Sequence, residues 1–257
     1  MKKLLTVFSI FILTACDGGN ITTQSEQEKS TASKANDSAS TYSLRGKDNS
    51  WPRMDGGQVD LSSNLLAKNY YLVVDGSGSM KEQSCSSNVP KLSVAKSALE
   101  SFINKLPAAA NIGMLVFDNN GTREILSISQ NNQTMAVNAV RDLQAGGGTP
   151  LGKAITQGYK SLTEQAKSQL GYGEYHLVVV TDGFANKGDE PDQIVRDLLK
   201  GSPVTLHTIG FCIDQNHALN IPGFTLYKSA ENPSALVAGL DAVLAEAPDF
   251  QVDNFKE

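Results

Sequence analysis

The chain reads as an α/β protein with a doubly wound, mostly parallel six-stranded sheet and one antiparallel edge strand. Three observations predict this. Short apolar runs of strand length recur, and two of them end in an acidic residue and a glycine, at Asp75-Gly76 and Asp182-Gly183. Stretches with helical spacing of apolar residues separate most of the runs. One pair of runs is joined only by the tight turn Asp118-Asn119-Asn120-Gly121, which makes those two strands antiparallel neighbours.

In order, Tyr70–Val74 is a continuous apolar run, as expected of a strand covered on both faces. Leu92, Ala95, Leu99, Phe102, Ile103 and Leu106 then recur at helical spacing until Pro107 ends the helix. Ile112–Phe117 is the second strand, and Glu124–Ile128 alternates as the third, at an edge. Two helices follow, near Thr134–Leu143 and Leu151–Ser168. His176–Val180 is the fourth strand, and Pro191 opens a helix to Lys200 with proline in its first turn. Val204–Ile209 and Phe224–Lys228 are the last two strands, and Pro233–Ala245 the last helix.

The chain before this domain has a different character. Lys2 and Lys3 precede an apolar run, Leu4–Leu13, in the pattern of a secretory signal over residues 1–15. Leu13-Thr14-Ala15-Cys16 resembles a bacterial lipobox, which implies acylation of Cys16 and a lipid anchor to a membrane. Asp17 resembles an inner-membrane retention signal. The expected location is the periplasmic face of the inner membrane, with the outer membrane as the alternative. Residues 16–65 are rich in Ser, Thr, Asn, Gln and Gly and are expected to form a flexible tether. Trp51, the only tryptophan, is expected to pack onto the domain. The domain itself is placed at 66–250, with a tail at 251–257.

The 257 residues carry 22 basic and 27 acidic side chains, a net charge of −5. Removal of Lys2 and Lys3 with the signal leaves 20 − 27 = −7. Without a basic excess there is little to neutralise phosphates, so nucleic acid is not an expected partner. Three cysteines do not make a disulfide scaffold. With Cys16 acylated, Cys85 and Cys212 remain. Both should lie at the carboxyl ends of strands, on one rim, where an oxidising compartment favours pairing them; the alternative is two free thiols.

In an open α/β sheet, ligands bind beyond the carboxyl ends of the strands. Asp75 and Asp182 both sit at such ends, and they converge if the first and fourth strands are neighbours. In Asp75-Gly76-Ser77-Gly78-Ser79, an extended loop would aim a carboxylate and two hydroxyls to one side. Thr149, in Gly146-Gly147-Gly148-Thr149-Pro150, adds a third hydroxyl at a helix start. Two carboxylates and three hydroxyls are hard oxygen donors suited to Mg²⁺, Mn²⁺ or Ca²⁺. Asp118 and Asp189 also follow strands but read as exposed loop acids.

This set, Asp75-x-Ser77-x-Ser79, then Thr149, then Thr181-Asp182-Gly183, resembles the von Willebrand factor type A domain with its metal-ion-dependent adhesion site. The resemblance covers about residues 66–250. It implies direct coordination by Ser77, Ser79 and Thr149, and carboxylate roles for Asp75 and Asp182, at least one through water. It also implies a protein partner whose carboxylate completes the metal shell.

Rival constellations are weaker. Gly147-x-x-x-x-Gly152-Lys153 approximates a phosphate-binding loop, but Ala154 stands where Ser or Thr is needed. No Gly-x-Ser-x-Gly elbow is present. His176 and His207 fall in strands and read as packed groups. Cys212 and His217 share a loop, yet no third residue is in evidence to orient them. The expected function is therefore a non-enzymatic, membrane-anchored, metal-dependent protein-binding module. The alternatives are a metal-independent assembly subunit of an envelope complex and a substrate-recruiting accessory domain of an enzyme complex.

Overall fold

The computed structural model describes residues 50–54 and 59–246. The expected signal at 1–15, Cys16, Asp17, most of the tether and the tail at 251–257 lie outside the described residues. No helix among the described residues is long and apolar enough to cross a membrane.

The strands are β1 (Lys68–Asp75), β2 (Asn111–Asp118), β3 (Gly121–Ser129), β4 (Glu174–Thr181), β5 (Thr205–Phe211) and β6 (Thr225–Ala230). The helices are α1 (Lys91–Lys105), α2 (Gln133–Asp142), α3 (Leu151–Ser168), α4 (Pro191–Leu199) and α5 (Pro233–Ala245). The sheet order is β3-β2-β1-β4-β5-β6, and β3 alone runs antiparallel, at one edge. This is the doubly wound, mixed sheet expected from the alternation of apolar runs and helical stretches. The hairpin is tighter than the sequence suggests. β3 begins at Gly121, which pairs with Asp118 and takes φ +83°, a left-handed conformation that glycine adopts without penalty.

Side-chain alternation along the strands divides the core in two. Tyr70, Leu72 and Val74 face α1, α2 and α5, together with Phe102 and Leu240. Tyr71, Val73 and Leu177 face α3 and α4, together with Ile155 and Val195. β1 is buried along nearly its whole length, as a central parallel strand covered on both faces must be.

The folded region begins before residue 65. Trp51 donates from Nε1 to the Tyr159 hydroxyl at 2.9 Å and packs edge-on against Tyr175 with ring centroids 4.9 Å apart. The backbone N–H of Ser62 donates to the Ser168 carbonyl at 2.8 Å. The Gln169 side chain donates to the carbonyls of Asn64 and Ala67. One large aromatic ring, the Ser168 carbonyl and the Gln169 amide at the end of α3 thus fix a segment whose composition reads as tether.

His176 on β4 and His207 on β5 form a buried pair, with Nδ1 of His176 3.2 Å from Nε2 of His207. Tyr70 stacks on His176, with Glu174 at 3.6 Å; Glu246 is 3.5 Å from His207, and Lys68 adds its charge from β1. Burial lowers both pKa values, and His176 lowers that of His207 further. Unfolded imidazoles bind protons below about pH 6.5 while the folded pair resists them, so this contribution is complete above that pH and is lost on acidification. Moving from pH 7 to pH 5 should cost roughly 2 kcal/mol for one excluded proton. His207→Gln should reduce that loss when urea unfolding of the two proteins is compared at both pH values.

Candidate functional site

β1 and β4 are hydrogen-bonded neighbours in parallel register, so their carboxyl ends bring Asp75 and Thr181 side by side. Asp75 is fully buried. Its Oδ1 accepts the Ser77 backbone N–H at 2.7 Å, and its Oδ2 accepts the Thr181 hydroxyl at 2.6 Å. The loop after β1 is not extended as expected: it turns into a short 3-10 helix, Gly78–Lys81. The turn nevertheless sets the Ser77 and Ser79 hydroxyls 3.0 Å apart. Ser79 Oγ donates to Asp182 Oδ1 at 2.7 Å. Asp75, Ser77, Ser79 and Asp182 therefore form one contiguous polar cluster at the carboxyl ends of two central strands.

Thr149 arrives from the opposite side, on the loop leading into α3. That loop threads against the first one. The Gly146 N–H donates to the Gly76 carbonyl at 2.7 Å, and the Gly78 N–H donates to the Gly147 carbonyl at 3.0 Å. Asn186 clasps Thr149: its Oδ1 accepts the Thr149 N–H, and its own N–H donates to the Thr149 carbonyl, both at 2.9 Å. The Thr149 and Ser79 hydroxyls border the bare Cα of Gly183, where an added Cβ would lie 3.3 Å from Thr149 Oγ1 and 3.7 Å from Ser79 Oγ. His217 Nε2 donates to the Gly183 carbonyl at 2.9 Å, and its Nδ1 accepts the Leu219 N–H. Phe184, beside Gly183, stacks loosely on His217 and is 63% exposed.

Sequence reasoning missed Lys91. Its ammonium donates to Asp182 Oδ2 at 2.9 Å and lies 3.3 Å from Glu82 Oε2. The Lys91 side chain is 6% exposed and that of Asp182 fully buried, whereas that of Glu82 is 62% exposed. Burial disfavours the ammonium, but Asp182 and Glu82 outweigh it and raise its pKa. No motif announces this residue; it is the first residue of α1, after Pro90. For Asp75, burial dominates and pushes its pKa up to about 6, against the opposing hydrogen bonds from Ser77 and Thr181, with the Asp182 charge adding to the rise.

Other expectations need correction. Asp118 is not an exposed loop acid but is 5% exposed, in a two-pronged pair with Arg123 at 2.5 and 2.9 Å that lowers its pKa. Asp189 accepts the Gly152 and Lys153 N–H groups at 3.0 and 3.1 Å, serving the start of α3 where Pro150 offers no capping side chain. The expected pairing of the cysteines, by contrast, is present: Cys212 is joined to Cys85 by a disulfide with Cα atoms 6.0 Å apart, and both His217 ring nitrogens are engaged. The disulfide ties the loop before α1 to the loop after β5.

Among the described residues, no cluster of three or more His, Cys, Asp or Glu has the geometry of a metal site. The donor set here is of another kind: the carboxylates of Asp75 and Asp182 with the hydroxyls of Ser77, Ser79 and Thr149. These are oxygen ligands for a hard divalent cation, and two of the hydroxyls come so close over the bare Cα of Gly183 that a Cβ there would crowd Thr149 Oγ1 at 3.3 Å.

Gly147 has φ +78°, and an added Cβ would meet the Asp118 carbonyl at 2.5 Å. Gly147→Ala should therefore destabilise the fold by about 1–3 kcal/mol, as measured by chemical unfolding. Breaking the Cys85–Cys212 bridge, which spans 127 residues, should cost up to roughly 4–5 kcal/mol on the chain-entropy account. Unfolding with and without reductant, against Cys85→Ser, measures it.

Comparison with known proteins gives a consistent picture. Residues 69–237 match the von Willebrand factor type A domain family. An uncharacterized protein of Synechocystis sp. is 26% identical over 156 residues, covering 60% of this chain and 34% of that one, so the chain spans about a third of this relative's length. The solved von Willebrand factor type A structure from Catenulispora acidiphila superposes with a TM-score of 0.55 at 20% identity, over 71% of this chain and 43% of that chain. The pilus adhesin SpaC of Lactobacillus rhamnosus GG superposes with a TM-score of 0.56 at 16% identity, over 73% of this chain and 31% of that chain. At these identities the two structures share the fold. The sheet order, the polar cluster at its carboxyl edge and a match over 169 of 257 residues lead to one conclusion: the chain belongs to the von Willebrand factor type A domain family.

Proposed function

We propose that this chain is a membrane-anchored protein-binding module whose adhesion depends on a divalent cation. The observation that carries the reading is the convergence of Asp75, Ser77, Ser79 and Asp182, with Thr149 alongside, at the carboxyl ends of β1 and β4. Mg²⁺ suits this donor set, and Mn²⁺ or Ca²⁺ shares its chemistry. Ser77, Ser79 and Thr149 would hold the ion through their hydroxyls, and Asp75 and Asp182 would balance its charge. A bound ion supplies a local positive centre for a partner's carboxylate, which an acidic protein otherwise lacks. Exposed Phe184 adds an apolar contact on the same rim. The similarity in fold to a pilus adhesin supports a role in adhesion or assembly. Acylation of Cys16 would anchor the chain, and Asp17 would hold it at the periplasmic face of the inner membrane, with the outer membrane as the alternative.

A second reading has a specific observation behind it. All four carboxylate oxygens of Asp75 and Asp182 have hydrogen-bond partners from the protein alone, which favours a metal-independent assembly module.

Crosslinking and pull-down from membranes separates the two. Capture of a partner in Mg²⁺ should be lost in EDTA and in Asp182→Ala; the same partners under all conditions would sink metal-dependent adhesion. Protons compete with the ion for Asp75, whose pKa stands at about 6. The rise in melting temperature produced by Mg²⁺ should therefore be present at pH 7.5 and fade below about pH 6.

A further inference from the structure

Lys91 has no role in the donor set, yet among the described residues it is the only charged group bound to it. Of the four partners of the two carboxylates, the Ser77 N–H belongs to the backbone, and the Thr181 and Ser79 hydroxyls are short and fixed to their loops. The Lys91 ammonium alone sits at the end of a long flexible stem. It alone has a second carboxylate within reach, Glu82 Oε2 at 3.3 Å, on the solvent side. A divalent ion and an ammonium cannot share Asp182 without strong like-charge repulsion, since both would crowd one buried carboxylate.

Resting on the metal-dependent reading above, we infer that Lys91 is a built-in competitor for the cation. Without metal, its ammonium neutralises Asp182 and keeps the cluster folded. When the ion binds, the ammonium moves outward onto Glu82. Lys91 therefore lowers the site's affinity for metal, and Glu82 partly restores it by receiving the displaced charge. Because Lys91 opens α1, the exchange also links metal occupancy to the start of that helix. The loop it adjoins is tied by Cys85 to Cys212.

The test is Mg²⁺ titration calorimetry on the full chain, comparing wild type, Lys91→Met, Glu82→Gln and the double variant, with Asp182→Ala as control. Lys91→Met should bind Mg²⁺ about ten-fold or more tightly than wild type. It should also melt lower in EDTA, with Mg²⁺ closing the gap. Glu82→Gln, which alters a side chain that is 62% exposed, should weaken binding. That weakening should vanish in the Lys91→Met background, because no ammonium then needs a landing site; a plain long-range effect of the Glu82 charge would persist there. Equal affinities for wild type and Lys91→Met, or a Glu82→Gln effect unchanged in the double variant, would overturn the competitor role while leaving the metal site intact. No Mg²⁺ binding by either protein at millimolar concentrations, or binding that survives Asp182→Ala, would overturn the metal-dependent reading and this inference with it.

Discussion

The arrangement of this domain turns on a carboxylate that water does not reach. Asp75 ends the central strand β1 and is fully buried, a costly position for a charge. Its two oxygens are held by the Ser77 N–H and the Thr181 hydroxyl, which fasten the loop after β1 and the end of β4 to one point. The Thr181 hydroxyl in turn accepts the Gly183 N–H, so the loop carrying Asp182 follows from the same anchor. The glycines at 146–148 let a third loop press against the first, and Asn186 closes the circle from the β4 side. Three segments far apart in sequence are thereby registered by polar contacts, above a sheet whose own register comes from apolar alternation.

Much of this is legible in the linear sequence, for reasons that can be named. Strand β1 is a continuous apolar run because both its faces are covered, and the turn at 118–121 can join only antiparallel neighbours. The grouping of Asp75, Ser77, Ser79 and Asp182 follows once β1 and β4 are adjacent. What escapes the sequence is chosen by three-dimensional contact. Asp118 looks like a loop acid until Arg123, five residues on and back across the hairpin, grips it. Asp189 serves a helix 37 residues earlier in the chain. Lys91 meets Asp182 across 91 residues, and no local pattern predicts that pair. Trp51 and Ser62 lie in a stretch whose composition suggests a tether, because composition does not register a single aromatic anchor or a few well-placed carbonyls.

The electrostatics of the site are correspondingly local. The chain is acidic overall, yet the cluster holds two carboxylates balanced in part by one buried ammonium. Buried pairs of this kind contribute little net stability compared with apolar packing, but removing one partner is expensive. The Lys91–Asp182 pair is better understood as a means of keeping a charged cluster intact than as a source of stability. The disulfide acts on the same neighbourhood by covalent means, tying two rim loops that the sheet alone would leave independent.

The path of the backbone through β1 has a mechanical meaning. The chain enters the sheet at Lys68 and reaches Asp75 within a single strand, paired on both sides with β2 and β4 in parallel register. Tension applied between the Asp75–Ser79 loop and Lys68 would run along that one strand. It would load the two flanking ladders in shear, all their hydrogen bonds resisting together, rather than peel them apart one at a time. The rest of the domain, including the ring of chain closed by Cys85 and Cys212, would lie beside the line of force rather than on it. A load carried between the two ends of this central strand would therefore meet both ladders at once.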